Sequence, residues 1–232
     1  MQHKDGSLFD TVLKFGGKFT LNKQKIYTEN LFSIVDKKTI LPKNNVTLEL
    51  LNEEHLVKLT TLATEKKIWE YAPEPYYFPA TFKEKWFDKA IKQIVDKKRI
   101  CFVIFFNDQM IGSSSYYEID IENKKMNIGY TWFHPSCWGT KINSISKLIL
   151  LEYAFEVLKV NRIGFSVDSI NERSCNALEK LGIKKEGLLR NHLILLNKRI
   201  RHSAIFGVIC EEWPETKKDI EQIIKGNINE YP

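Results

Sequence analysis

The chain has 232 residues, of which 43% are hydrophobic and 28% are charged. That composition is enough to bury a core and is unlike that of a disordered chain. The formal net charge is +6, but the lysines are scattered, and no stretch interleaves arginine with aromatic residues as a nucleic-acid-binding face does. We therefore interpret the charge as a solvated surface and expect no nucleic-acid partner.

The cysteine spacing excludes the common zinc motifs. The four cysteines have no CxxC pairing and no histidine at zinc-finger spacing, so we predict reduced, buried thiols and no metal: Cys101, Cys137, Cys175 and Cys210. The N-terminus has no apolar signal-peptide core, and the densest apolar stretch, residues 148–158, is broken by Glu152 and Glu156. These features predict a cytoplasmic protein without a membrane partner.

The first 44 residues differ from the rest of the chain. Glycines punctuate short apolar pieces there, and residues 31–35 are a candidate strand. Pro42 followed by Asn44 and Asn45 marks a boundary. We predict an N-terminal extension over residues 1–44, whose role the sequence does not state.

Beyond that boundary, an alternating pattern over residues 46–50 predicts a strand, and Asn52 is a candidate N-cap for an amphipathic helix. Residues 72–81 are rich in proline and aromatic residues. This loop could form a wall of a substrate site, or it could simply be packed by its own aromatic side chains. Thr81 is predicted to open a second helix.

The remaining elements alternate in type. A three-strand meander is predicted at residues 101–106, 110–121 and 126–134. After it we predict a long helix, a strand, a helix ended by a glycine and two last strands: residues 144–158, 161–167, 172–181, 188–196 and 203–209. A strand–helix–strand unit joins parallel neighbours, so this order predicts an α+β protein with one parallel crossover.

Within this order, several short motifs resemble the GNAT acetyltransferases, in particular the subgroup that contains the ribosomal-protein N-terminal alanine acetyltransferases. The motifs are IGYTWFHP at 128–135, WGT at 138–140, KLILLEYAF at 147–155, NERS at 171–174, LEKLG at 178–182, EG at 186–187 and EWP at 212–214. The resemblance implies the GNAT fold: a mixed, mostly antiparallel central sheet with two splayed strands and helices on both faces. We place this domain at residues 45–216 and a C-terminal tail at 217–232.

The resemblance also implies acetyl-CoA as cosubstrate, lying between the third meander strand and the strand after the long helix. A helix N-terminus favours phosphate, which suits the loop before the long helix. The residues implied to bind the cosubstrate are Phe133, His134, Gly139, Thr140, Lys141, Ile142, Asn143, Ser144, Asn171 and Ser174.

Lys141 departs from the family pattern, which usually has glycine there. A side chain at that position resists positive φ, so Lys141 either donates charge to a phosphate or weakens CoA binding; we favour the first. Asn171 is also a candidate helix N-cap, and the two roles are compatible.

Compared with the family that the chain resembles, two usual catalytic residues are missing. Asn127 stands where many relatives carry a glutamate base, and Leu178 stands where many carry a tyrosine acid. We therefore expect Glu186 to be the general base, with Ser174 near the thioester, and rank Glu118 behind Glu186.

The sequence thus predicts an N-acetyltransferase that transfers an acetyl group from acetyl-CoA to a primary amine by direct attack in a ternary complex. The acceptor is a protein N-terminus or a small amine, and a homodimer is one option for the assembly. The alternative is a non-enzymatic acyl-CoA-binding sensor with the same fold, motivated by Lys141, Asn127 and Leu178.

Overall fold

An eight-stranded sheet runs through the part of the chain that the computed structural model describes, residues 40–226. The strands are β1 (Ile40–Lys43), β2 (Val46–Leu50), β3 (Arg99–Phe106), β4 (Gln109–Asp120), β5 (Lys125–Phe133), β6 (Arg162–Asp168), β7 (Lys184–Ile194) and β8 (Ile200–Ile209). Their spatial order is β1-β2-β3-β4-β5-β6-β8-β7. Every neighbouring pair in this sheet is antiparallel except β5 and β6, which are parallel. The mixed, mostly antiparallel sheet is the predicted one.

Two tight hairpins build the first edge of the sheet. Asn44 and Asn45 have φ of 48° and 62° between β1 and β2, and Asn107 and Asp108 have φ of 47° and 60° between β3 and β4. Asparagine and aspartate tolerate this left-handed backbone, which two-residue hairpin turns require. The predicted boundary at residue 44 therefore falls in the turn of a hairpin.

Six helices cover the described part of the sheet: α1 (Leu56–Leu62), α2 (Pro79–Thr81), α3 (Asp88–Val95), α4 (Ile142–Glu152), α5 (Glu172–Lys180) and α6 (Trp213–Lys225). A π-helical segment, Phe82–Phe87, joins α2 to α3, and another, Tyr153–Val157, extends α4. Asn52 caps the turn before α1 as predicted, since its side chain accepts from the backbone N–H of Glu54. The helix expected from Thr81 begins earlier, at Pro79, because proline suits a first helical position.

The helices lie on both faces of the sheet. Cys101 and Val103 of β3 face an aromatic cluster from the α1–α3 side that includes Trp69 and Trp86. The alternate residues face α4: Tyr116, which is paired with Ile100, donates its phenol O–H to the carbonyl of Leu150 at 2.5 Å. Helices on both faces were predicted.

Helix α6 lies where the sequence analysis placed a tail. The Trp213 ring stacks on Phe155 at 5.3 Å, and Lys217 Nζ lies 2.8 Å from carboxylate oxygens of both Glu152 and Glu156. Residues 217–225 therefore continue a helix that packs on the end of α4. The candidate strand 31–35 lies outside the described residues, and the division into 1–44, 45–216 and 217–232 stays a prediction.

The cysteines agree with the predicted free thiols. Cys101, Cys137 and Cys175 are buried and Cys210 is half-buried, and none forms a disulfide. Within residues 40–226, no helix is long and apolar enough to cross a membrane. The same residues bring together no group of three potential metal ligands.

Candidate functional site

The sheet opens between its two parallel strands. β5 and β6 pair over only three positions, Lys125 with Arg162, Met126 with Ile163 and Asn127 with Gly164. Beyond them β5 runs on beside β4 and β6 beside β8, so a gap separates the two strands. A strand edge left without a neighbour offers backbone N–H and C=O groups to an extended ligand.

The gap begins where pairing stops, at Asn127 and Gly164, and we call this its closed end. A β-bulge lies beside the closed end. Ser113 pairs with Trp132 and Ser115 with Gly129, so β5 carries one extra residue there. Tyr130 sits in the bulge with φ of 51°. A bulge takes a residue out of the ladder and re-aims its backbone. The sequence motif alone did not predict this feature.

At the other end of the gap, a loop leads into α4. Gly139 has φ of 73°, and no atom lies within 4 Å of the position that a Cβ would take. Thr140 donates its hydroxyl to the carbonyl of Cys137 at 2.7 Å and accepts from the N–H of Ile142 at 3.3 Å. Asn143 and Ser144 follow in the first turn of α4. The loop therefore presents open backbone and a helix N-terminus, a combination that fits a phosphate.

Lys141 behaves differently from the expectation. Its φ is −71°, so the position needs no glycine, and the expected strain is absent. Its Nζ donates to the carbonyl of Ile224 at 2.8 Å and also to that of Gly226, both at the C-terminal end of α6. These contacts do not support the predicted contact with a phosphate.

Helix α5 brings Asn171 and Ser174 to the same end of the gap. Asn171 is the N-cap, because its side-chain oxygen accepts from the N–H of Ser174 at 3.1 Å. The Arg173 guanidinium lies 3.6 Å from the centre of the Trp138 ring. This contact fixes the start of α5 against the loop before α4, so two helix N-termini stand at the open end.

Phe133 and His134 shape the turn after β5. The Phe133 carbonyl accepts from the indole N–H of Trp138 at 3.1 Å, and His134 Nδ1 lies 2.8 Å from Ser136 Oγ. Both residues therefore hold the backbone where it leaves the gap.

On the face of the sheet opposite α4, the residues beside the gap are aromatic. Tyr117 and Tyr130 meet edge to face at 5.2 Å, and the buried Arg99 guanidinium lies 3.9 Å from the Tyr130 ring centre. Burial raises the pKa of Tyr117 to about 12. In the proline-rich loop, the rings of Tyr77 and Phe78 lie 4.4 Å apart, centre to centre. That contact favours the second of the two interpretations of this loop, packing by its own aromatic side chains.

The family follows from comparison with known proteins. A model of the acetyltransferase (GNAT) domain matches residues 45–184. The chain belongs to this family. The predicted family is thereby confirmed, and the protein is an acetyl-CoA-dependent N-acetyltransferase.

Three similar proteins show how far the likeness extends. YdaF of Bacillus subtilis is named as a proposed ribosomal N-acetyltransferase. It is 25% identical to this chain over 178 residues, which are 75% of this chain and 96% of the length of YdaF. The N-acetyltransferase p20 of Bacillus licheniformis, named as uncharacterized, is 34% identical over 94 residues, but this chain matches only 52% of its length. A crystal structure of a GCN5-related N-acetyltransferase from Brucella melitensis has a TM-score of 0.72 at 25% identity, over 80% of this chain and 85% of that one. The likeness to YdaF agrees with the predicted ribosomal-type subgroup.

In this GNAT protein the carboxylate predicted to be the base is held in an ion pair. Glu186 lies on β7, and its Oε1 accepts from Arg162 Nη1 at 2.6 Å, while its Oε2 accepts from Nη2. The hydrogen bond from Arg162 holds the pKa of Glu186 below its usual range. A carboxylate stabilised in its ionised form is a weaker base. The role of Glu186 stays a prediction that its contacts do not support.

Glu118 is better placed. It sits at a second irregularity of the β4–β5 ladder with φ of 49°, and its Oε2 accepts from Asn127 Nδ2. Asn127 is the last β5 residue paired with β6. Both line an open depression of about 340 Å³, whose other lining residues are Asp120, Lys125, Met126 and Arg162. The backbone irregularity brings Glu118 to the closed end of the gap. No local sequence motif predicts this irregularity.

The sequence analysis gave no role to Lys147, on the sheet-facing side of α4. Its Nζ donates to Thr131 Oγ1 at 3.1 Å, and burial lowers its pKa to about 8. A lysine inside the apolar run of residues 145–151 is the signal that could have identified it.

Proposed function

We propose that this GNAT protein transfers the acetyl group to a primary amine, either a protein N-terminus or a small amine, by direct attack in a ternary complex. The observation that carries the proposal is the gap between β5 and β6, with a bulge at its closed end and two helix N-termini at its open end. The gap exposes strand edges to an extended arm, and the open end suits phosphates.

Each part of the site has a proposed task. The loop at Gly139 and Thr140 and the first turn of α4 hold the pyrophosphate through backbone N–H groups. Asn171 and Ser174 hold the arm at the start of α5. The re-aimed backbone around Tyr130 donates to the thioester carbonyl and stabilises the oxyanion that forms there.

The amine must lose a proton before or during attack. We propose Glu118 as the base, because Asn127 orients its carboxylate and no arginine among the described residues pairs with it. Asn127 thus positions the carboxylate of a neighbouring strand, although relatives often carry a glutamate at this position.

The sensor alternative has no observation in its favour. It rested partly on a strained loop at Lys141, and that strain is absent. The name of YdaF motivates ribosomal-protein N-terminal peptides as the first acceptors to test.

The proposal is tested in two steps. Calorimetry should show that CoA binds, and Gly139→Val should weaken binding, since a branched residue resists φ of 73° and places a side chain in the open space. Release of CoA thiol should then follow addition of acetyl-CoA with N-terminal peptides or with small amines. CoA binding without turnover of any amine would contradict the proposed function.

A further inference from the structure

Lys147 is a buried cation whose contacts with the described residues are all neutral. Its exposed fraction is 5%, and its Nζ donates to Thr131 Oγ1, which also lies 2.7 Å from Ser114 Oγ. Among the residues that the structure describes, no carboxylate pairs with it. Desolvation is accordingly the cause of its lowered pKa.

The ammonium lies where the two parallel strands separate. Thr131 follows the bulge residue Tyr130 on β5, and Phe165 follows Gly164, the last paired residue of β6. Lys147 Nζ is 3.1 Å from the Thr131 hydroxyl and 6.0 Å from the centre of the Phe165 ring. It therefore reaches both borders of the gap from the α4 side, near the closed end.

A cation in this place costs free energy unless something compensates it. A buried ammonium without an anion loses hydration that a single neutral hydroxyl does not replace. An apolar side chain of similar length would fill the same space among the neighbouring leucines without that cost. The cation is compensated if a ligand brings negative charge into the gap.

Acetyl transfer generates such a charge. When the amine attacks, the sulfur leaves as a thiolate, and a thiolate needs a proton or a cation beside it. Leu178, where many relatives carry a tyrosine acid, is buried and has no proton to give. The reaction therefore needs another donor.

We propose, resting on the function proposed above, that the Lys147 ammonium contacts the sulfur of bound acetyl-CoA and acts as the catalytic acid. As nitrogen bonds to the acyl carbon, the carbon–sulfur bond breaks and its electron pair passes to sulfur. One proton then moves from Lys147 Nζ to the thiolate, and solvent reprotonates the amine of Lys147. The proton that the acceptor nitrogen loses goes to Glu118 and from there to solvent.

The protonation state of Lys147 suits this step. A pKa of about 8 keeps most of the side chain charged at neutral pH, yet it is close to that of a thiol, about 8.5. Acid catalysis is most efficient when the pKa of the donor is near the working pH. An exposed lysine has a pKa of about 10.4, so it is a weaker acid and donates its proton to the thiolate less readily.

The first test measures the thiol of bound CoA and requires no acceptor. Thiolate ultraviolet absorbance is titrated in the CoA complex, and the same titration with desulfo-CoA is subtracted to remove the protein's own thiols and phenols. The ammonium should lower the thiol pKa by about one unit or more relative to free CoA. Lys147→Met should abolish the shift, whereas Lys147→Arg should retain it because the charge remains. A thiol pKa that is the same in wild type and Lys147→Met overturns the proposal.

The second test separates acid catalysis from binding. Lys147→Met should lower kcat by about 10²-fold while the Kd for CoA changes little. Lys147→Arg should also lose turnover, since a guanidinium does not release its proton at neutral pH. Thr131→Val is the matched control, since it removes the neutral partner and leaves the ammonium.

Thermal unfolding must show that each variant is folded, and Lys147→Gln replaces Lys147→Met if the latter is not. A weakened Kd with unchanged kcat would make Lys147 an anchor for the arm and overturn the proposed acid. If wild type turns over no amine, the proposed function fails, and the thiol titration still decides the role of Lys147.

Discussion

At the scale of single residues, two carboxylates compete for the role of base, and their contacts make opposite predictions. Glu118→Gln should lower kcat/KM by about 10²-fold or more, because the carboxylate beside Asn127 is the proposed proton acceptor. The loss should shrink as pH rises, since more of the amine is then already neutral. Rates at several pH values with acetyl-CoA and a fixed amine measure this, and the CoA affinity should stay near that of wild type.

Glu186→Gln is the matched control. The substitution breaks the ion pair between Glu186 and Arg162, so the free energy of unfolding should fall. The value of kcat/KM should fall far less than in Glu118→Gln. The side chains of Arg162 and Glu186 are 33% and 37% exposed, which limits the expected loss of stability to about 1 kcal/mol. The reverse order of the two kinetic effects would restore Glu186 as the base and remove Glu118 from the mechanism.

At the scale of elements, Lys141 ties the loop before α4 to the C-terminal end of α6. Its ammonium bonds the carbonyl of Ile224, one of the acceptors that a helix end leaves unpaired. Lys141→Ala should therefore lower the free energy of unfolding by about 1 kcal/mol and change the Kd for CoA little. Lys141→Glu should destabilise further, because it places a negative charge at the negative end of the helix dipole.

Chemical denaturation and CoA calorimetry measure the two effects on the same samples. Lys225→Ala is the control, since it removes an exposed lysine from the last turn of the same helix. Weaker CoA binding by Lys141→Ala with unchanged stability would show that the lysine serves a phosphate instead.

At the scale of the whole molecule, the order of elements could be predicted because each strand and helix has its own periodicity, and the short motifs of residues 128–135 and 171–174 identified the family. The gap itself is a failure of pairing between β5 and β6, and periodicity does not encode where pairing stops. The roles of Lys141 and Lys147 depend on contacts with α6 and β5, which are distant along the chain. Local sequence therefore identified the family and the order of elements, but it does not encode the partners that Lys141 and Lys147 find in distant parts of the chain.

The docking of α6 on α4 is likewise a long-range feature, and it makes stability depend on pH. Lys217 bonds Glu152 and Glu156, and this hydrogen bond is the main reason that the pKa of Glu156 lies below its usual value. A carboxylate with a lowered pKa in the folded state stabilises the fold above its unfolded pKa of about 4.3, and that contribution is lost as pH falls through the folded value. Lys217→Met should therefore cost about 1 kcal/mol at neutral pH, and the difference from wild type should shrink towards pH ~3. Urea denaturation at both pH values measures it, with the exposed neighbour Lys218→Met as control. The Lys217 Nζ lies 6.0 Å from the centre of the Trp213 ring. An equal loss at both pH values would mean that the methylene stem of Lys217, and not its charge, stabilises α6.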